Sequence, residues 1–404
     1  MDNAQFIDLC AWLTDAGLSG QSETVTLDGF CERAVALGLP LARATVLIDT
    51  LHPIYEGHAF LWKRDKNEMA TSEYDRSNKN LRLWVNSPFY RLEQSGEPLL
   101  RRRLTAETEK EFSVFPELRA DGITDYAAIA NRFAAEGIVG NMDCVYSSWA
   151  TDATTGFRDD DVAALCRLMP LLALTMKTAS LARIAGTLVE TYLGRDAGRR
   201  VLDGRIARGV ADRIEAVLWF SDLRGYTRIT DTAAPEEIIP LLNDYADAII
   251  SAIHEQQGDV LKLMGDGVLA IFTVEDRSRA CESALAAAAN ARVRVAALNQ
   301  RRAAGKLPNT EMYLGLHIGE VFYGNIGSKD RLDFTVVGPA VNEVSRIASM
   351  CGSVDQPLLV SSAFASALGD SRGRLVSVGR YALRGVRRPQ ELYTLDASAP
   401  EHGS

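Results

Sequence analysis

Apolar residues recur every three or four positions through residues 4–16 and 27–37, the spacing of amphipathic helices. Residues 41–50 and 57–63 follow a strand pattern instead, with Pro53 between them, and predict a hairpin. Residues 143–150 read as a further strand, followed by a Thr154-Thr155-Gly156 loop. The stretch before that strand reads as rich in loops, and Trp62, Trp84, Tyr126, Phe133 and Trp149 supply aromatic bulk. From residue 159 to 204 the pattern is helical. Asp159, Asp160 and Asp161 suit the positive end of a helix. Pro170 is expected to kink or interrupt it, and Gly194, Gly198 and Gly204 to break it. Leu174, Leu181 and Leu188 fall seven apart with Ile184 between them. So short a repeat leaves two readings open, a helix pair joining two subunits and packing onto the chain's own domain.

From residue 214 to 396 strands and helices alternate, which divides the chain into 1–158, a helical linker or dimerisation element at 159–213, 214–396, and a frayed tail at 397–404. The length of 404 residues suits two or three domains, and 47% hydrophobic residues exclude a disordered chain. With 44 Lys and Arg against 53 Asp and Glu, the net charge of −9 argues against a coat for nucleic acid or an anionic membrane. No stretch is expected to span a membrane, and the N-terminus lacks the basic start of a signal peptide. The six cysteines are scattered without metal-ligand spacing, so reduced thiols and a cytoplasmic location are expected.

Three elements carry chemistry. Residues 216–220 form an apolar strand that ends in Ser221-Asp222 before a Gly225 turn, and Pro235-Glu236-Glu237 then opens a helix whose face is Ile238, Leu241, Leu242, Tyr245, Ile249 and Ile253. A carboxylate at a strand end is placed to hold a hard cation, although Asp there is also a common turn former. In residues 259–272 two apolar runs flank Gly265-Asp266-Gly267, a β-hairpin with Asp266 at its tip. Ordinary turn chemistry explains Asp266 equally well, but it leaves Lys262, inside a strand, without a reason. In residues 331–347 a strand turns at Gly338-Pro339 into a helix that carries Asn342 and Arg346 four apart, on one face.

Taken together, these elements resemble the catalytic domain of class III nucleotidyl cyclases over residues 215–395. Residues 220–227 meet the family's Phe-x-Asp-(Ile/Leu)-x-Gly-(Phe/Tyr)-Thr pattern, 262–266 its Lys-x-x-Gly-Asp hairpin, and 341–346 its Val-Asn-x-x-x-Arg helix. Arg384-Gly385 ahead of Pro389 and Tyr393 resembles its closing strand pair. The resemblance implies an α+β, ferredoxin-like domain in which the ribose 3′-hydroxyl attacks the α-phosphorus of the same nucleotide and expels pyrophosphate. It implies two Mg²⁺ or Mn²⁺ ions per site, bridged by Asp222 and Asp266 with the main-chain carbonyl of Leu223 as a further ligand. Asn342 then orients the ribose, and Arg346 stabilises charge on the α-phosphate.

Lys262 and Thr335 stand at the family's two base-selecting positions. A lysine only donates, which suits N1 of adenine, and the Thr335 hydroxyl can accept from N6. ATP and 3′,5′-cyclic AMP are the expected substrate and product. A guanylate or other nucleotide cyclase and a catalytically silent nucleotide-binding sensor are the alternatives. The family's sites are shared between two subunits, so a homodimer is expected. The order of elements in residues 1–158 resembles GAF domains, antiparallel sheets flanked by helices, and implies a sensor for an unknown small-molecule ligand; simple dimerisation is the alternative role. His254 and His317 are expected to be packed side chains. His52 and His58 have even spacing along a strand that Pro53 and Gly57 interrupt, and satisfied or exposed histidines are commoner there than haem or metal ligands.

Overall fold

The computed structural model describes every residue except 67, 68, 76, 135–137, 387 and 397–404, so the expected tail lies outside the described residues. The chain divides into two units, Met1–Leu188 and Val189–Ser404. The division falls inside the long helix, not at residue 158, because the first half of that helix is part of the first unit's core.

In the first unit Asp2 forms a capping box with Gln5 that opens α1 (Asn3–Leu18), and Ser22 caps α2 (Glu23–Ala36). The expected hairpin forms from β1 (Arg43–Asp49) and β2 (Gly57–Lys63), paired antiparallel. The stretch expected to be loops contains β3 (Ala70–Tyr74), α3 (Asn78–Val85), α4 (Pro88–Ser95), β4 (Leu99–Arg103), α5 (Phe115–Ala120) and β5 (Asp125–Arg132). Then come β6 (Cys144–Thr151) and α6 (Asp159–Leu193). The sheet has the order β3-β2-β1-β6-β5-β4, antiparallel throughout. One face buries Val46, Ile48 and Trp149 with residues of α1, α2 and α6. The other buries Phe89, Leu92, Phe115 and Tyr126.

Pro170 does not interrupt α6, which is helical from Asp159 to Leu193. A proline inside a helix costs about 3 kcal/mol, and burial of Leu168, Met169, Leu172 and Ala173 around it offsets that cost. By length and composition α6 meets the test for a membrane span, contrary to expectation, yet Val162, Leu165, Leu172 and Met176 are core residues of the unit. Leu174 is exposed while Leu181 and Leu188 are half-buried against that core, so the three leucines do not share one environment. Arg183 fastens the helix: it donates to Glu23 at 3.0 Å, Thr50 Oγ1 at 3.3 Å and Ser180 Oγ at 3.0 Å, and lies 2.7 Å from His58 Nε2.

The second unit begins with the last residues of α6. Gly194, at φ 88°, breaks the helix, and a side chain there would meet the Val260 carbonyl at 2.4 Å. α7 (Arg195–Leu202) follows and contains Gly198, which packs against the Glu190 backbone and does not break the helix as expected. β7 (Ala211–Leu223) starts earlier than the apolar run suggests. α8 (Tyr226–Thr232), α9 (Pro235–Glu255), β8 (Asp259–Met264), β9 (Gly267–Thr273), α10 (Arg277–Ala304) and β10 (Met312–Gly327) follow in turn. β11 (Leu332–Val337), α11 (Pro339–Val354), β12 (Leu358–Ser361), α12 (Ser362–Ala367), β13 (Leu375–Tyr381) and β14 (Gln390–Leu395) complete the chain.

Their sheet runs β13-β14-β12-β10-β7-β9-β8, with β11 on β10, and among the described residues only β10 and β12 pair in parallel. Strand alternation sorts β7: Val217, Trp219 and Leu223 pack with α9 and α10, whereas Ala216 and Leu218 pack with Val344 of α11. Both units are α+β, as the two resemblances imply.

Candidate active site

Asp222 projects from the end of β7 on the face opposite the buried Leu223 side chain. On one side β7 pairs with β9 as far as Ser221 opposite Val268. Met264 opposite Gly267 closes the β8–β9 hairpin, which puts Asp266 in the turn beside the end of β7. The Leu223 backbone N–H donates to Asp222 Oδ1 at 3.1 Å and to Asp266 Oδ2 at 3.2 Å. Leu223 and Asp266, 43 positions apart in the chain, are thus joined directly.

Asp222 is open to solvent on one side, but the strand ends around its carboxyl withdraw water from it. That desolvation, then the hydrogen bond to Asp266 and its negative charge, push the carboxyl up to about 7, against the pull of the Leu223 N–H. Two carboxyls this close resist carrying two charges. A hard divalent cation relieves the repulsion and takes the oxygen donors it prefers, so the pair fits Mg²⁺ or Mn²⁺.

Lys262 and Thr335 belong to a second group. Lys262 is half-exposed on β8, next to a register irregularity between Val260 and Lys262, and its ammonium is ion-paired with Asp333 Oδ2 of β11. Thr335, two residues beyond Asp333, shares its face of β11, while Phe334 and Val336 between and beyond them point into the core. Sequence reasoning missed Asp333. The signal available was an acidic residue two positions before a selector, but only the fold shows what it touches.

Asn342 and Arg346 lie one turn apart on α11, the first exposed and the second half-buried. Glu343 beside them is raised by burial and pulled back by Arg346. A carbon added at Gly385 would come within 3.3 Å of the Arg346 guanidinium, so the turn between β13 and β14 lies against it. Among the described residues no hydrogen bond or ion pair joins Asn342 or Arg346 to the Asp222–Asp266 pair. Asp222 lies opposite Tyr313 and Thr335 opposite Gly324, so their rows stand eleven positions apart along β10.

The histidines fall outside this chemistry. His317 is buried with Nδ1 2.8 Å from Ser361 Oγ, and burial lowers it to about 4. Burial also lowers His254. His52 Nδ1 accepts the backbone N–H groups of Ile54 and Tyr55, whereas His58 is buried against Arg183. No cluster of three metal-ligating side chains occurs among the described residues.

Residues 211–397 match the family described as "Adenylate and Guanylate cyclase catalytic domain". The second unit is therefore a class III adenylate/guanylate cyclase catalytic domain. The chain is 31% identical over 209 residues to an uncharacterised protein of Mycobacterium tuberculosis, covering 50% of this chain and 36% of that protein. It is 28% identical over 211 residues to Adenylate cyclase 1 of Rhizobium meliloti, covering 49% of this chain and 32% of that one. The chain thus spans about a third of the length of the curated relatives it matches. Among solved structures, the adenylyl cyclase CyaB of P. aeruginosa superposes with a TM-score of 0.44 at 24% identity, covering 48% of this chain and 100% of that one. The guanylyl cyclase Cya2 does so with a TM-score of 0.41 at 28% identity, covering 46% and 96%.

Proposed function

We propose that the cyclase domain converts ATP to 3′,5′-cyclic AMP and pyrophosphate at sites shared by two copies of the chain. The observation that carries this reading is the Asp222–Asp266 pair, two acidic side chains held together at a single backbone donor where their repulsion calls for a cation. Asp222 and Asp266 would hold two divalent ions there, which would lower the pKa of the ribose 3′-hydroxyl and neutralise the triphosphate.

The chain's own residues do the rest. Asp222 and Asp266 present their oxygens from the β7 end and the hairpin turn, with the Leu223 carbonyl as a further ligand. Lys262 donates to N1 of adenine, and the Thr335 hydroxyl accepts from N6. Asn342 fixes the ribose, which brings the 3′-oxygen into line with the α-phosphorus. Arg346 stabilises the charge that grows on the α-phosphate oxygens as pyrophosphate leaves. Neither His254 nor His317 faces this work, since both are lowered by burial.

Several observations favour a second copy. The carboxylate pair and the Thr335 row stand at different ends of β10, and no described bond ties Asn342 or Arg346 to the pair. Leu263 and Met264, next to the Asp266 turn, are exposed, as are Phe322 and Val337, which face each other in register. A head-to-tail homodimer covers such apolar surface and completes each site with residues of both copies.

The first unit, an antiparallel sheet with helices on both faces, suits a GAF-like sensor of a small molecule, and α6 runs from it into the cyclase domain. Free thiols and a nucleotide substrate agree with a cytoplasmic location. The test is turnover by the purified chain with Mn²⁺: ATP is consumed faster than GTP, and equal or reversed rates overturn the assignment of Lys262 and Thr335.

A further inference from the structure

One edge of β10 is open in its middle. β7 pairs with β10 from Met312 to Gly324 along the first edge. Along the second, pairing with β12 ends at Leu316 and pairing with β11 begins at Phe322, so among the described residues no strand covers 317–321 there. The start of α11 crosses this gap. A carbon added at Gly338 would come within 3.4 Å of the Glu320 carbonyl oxygen, and one at Gly319 within 2.9 Å of Ala340 Cβ. The gap holds a cavity of about 380 Å³, lined by His317 and Val321 of β10 and by Pro339, Ala340 and Glu343 of α11. Small-molecule sites occupy about 300 Å³ or more.

Two polar side chains of this cavity lack a partner. His317 is only 7% exposed, and its Nδ1 lies 2.8 Å from Ser361 Oγ, which already accepts the Phe364 N–H at 3.1 Å. The Ser361 proton therefore goes to Nδ1, and the ring carries its own proton on Nε2. Nε2 borders the space beside Gly319, 3.1 Å from where an added carbon would sit, and has no hydrogen-bond partner among the described residues. A buried donor left unmade is costly. Glu343 is half-buried and forms no ion pair or hydrogen bond among the described residues. Arg213 and Glu320, at the side of the cavity, neutralise each other in an ion pair. Glu343 thus leaves the cavity negative, which repels phosphates and carboxylates alike.

We propose that this cavity is an effector site for a small uncharged amide, whose carbonyl accepts from His317 Nε2 and whose N–H donates to Glu343. An ammonium would satisfy Glu343 and leave the His317 donor unmade. A carboxylate would satisfy His317 and meet Glu343 as a like charge. Ala340 and Glu343 share the first two turns of α11 with Asn342 and Arg346, so a ligand held there fixes the segment that carries both. The site itself does not depend on which nucleotide is turned over, whereas its effect on rate rests on the reading of Asn342 and Arg346 as catalytic.

The experiment titrates the full chain with benzamide, benzoate and benzylamine, three probes with one ring and three charges, by calorimetry. Benzamide is expected to bind with a Kd on the order of 1 mM, and the other two at least about tenfold more weakly. Glu343→Leu should lose about tenfold in benzamide affinity, and Glu343→Gln, which keeps an accepting oxygen, less than about threefold. Ala340→Val narrows the cavity without removing a polar group, and it takes the place of Glu343→Leu if that variant melts early. Benzamide that does not bind, benzoate or benzylamine that binds as tightly, or full affinity in a folded Glu343→Leu or Ala340→Val overturns the site. Saturating benzamide should change kcat for cyclic nucleotide formation with Mn²⁺ by about twofold or more. An unchanged kcat overturns the effector role and leaves the site standing. A chain that binds benzamide but forms no cyclic nucleotide overturns the catalytic reading, and the effector role falls with it.

Discussion

Asp222 and Asp266 accept from a common donor, the Leu223 N–H, although one closes a strand and the other turns a hairpin. A carboxyl raised to about 7 in the folded chain adds stability that is complete below the ordinary carboxylate range and is lost as pH rises through 7. In the absence of divalent ions, Asp222→Asn should therefore melt higher than the unaltered chain at pH 8 and no higher at pH 4. Adding Mn²⁺ should raise the melting temperature of the unaltered chain at pH 8 and leave that of Asp222→Asn nearly unchanged. Melting curves with and without Mn²⁺ at the two pH values check both statements.

A site assembled from two copies can be repaired by mixing. Asp222→Ala and Arg346→Ala should each lose most activity alone, by about 100-fold or more. Mixed in equal amounts, they should recover about a quarter of the unaltered rate, because one of the two sites in a mixed dimer is intact. Folded variants that fail to complement, measured as cyclic nucleotide formed, count against a shared site.

His317 ties stability to acid. Burial lowers it from 6.5 to about 4, so the unfolded chain binds its proton first as pH falls. Stability is complete above 6.5 and declines towards 4, by about 3 kcal/mol at the limit. His317→Gln should melt with a shallower dependence on pH across that window. Equal slopes for the two proteins would show that His317 is not the cause.

Gly385 sits at φ 75°, and a carbon added there comes within 3.3 Å of both terminal nitrogens of Arg346. Gly385→Ala should cost about 1 kcal/mol in backbone strain and lower kcat about tenfold by displacing the guanidinium. Gly209, at φ 80° with open space around it, is the control. Gly209→Ala should lose similar stability and keep its activity. Steady-state rates and melting temperatures of the two variants separate strain from displacement.

Local pattern was enough for some elements and not for others. α1, α2, the β1–β2 hairpin and the helix opened by Pro235 follow from apolar spacing and turn residues that act within a few positions. β5 escaped notice because residues 125–130 are all buried, so no alternation marks it, and β3 because its residues are nearly all exposed. Pro170 misled because its local cost is real, and only the core around α6 outweighs it.

The cyclase residues themselves were legible, since Asp222, Lys262, Asp266, Thr335, Asn342 and Arg346 lie in short motifs whose order along the chain survives without a fold. What the amino-acid order determined by itself was chemistry and local shape: which groups are available, and which stretches turn, extend or coil. The tertiary structure decided the company each group keeps. That Asp266 reaches the end of β7, and that Lys262 finds Asp333 across 71 residues, depends on sheet register and on the twist of strands far apart in the chain. Periodicity reports neighbours within a turn or a hairpin, whereas contacts between distant strands are settled only when the whole core packs.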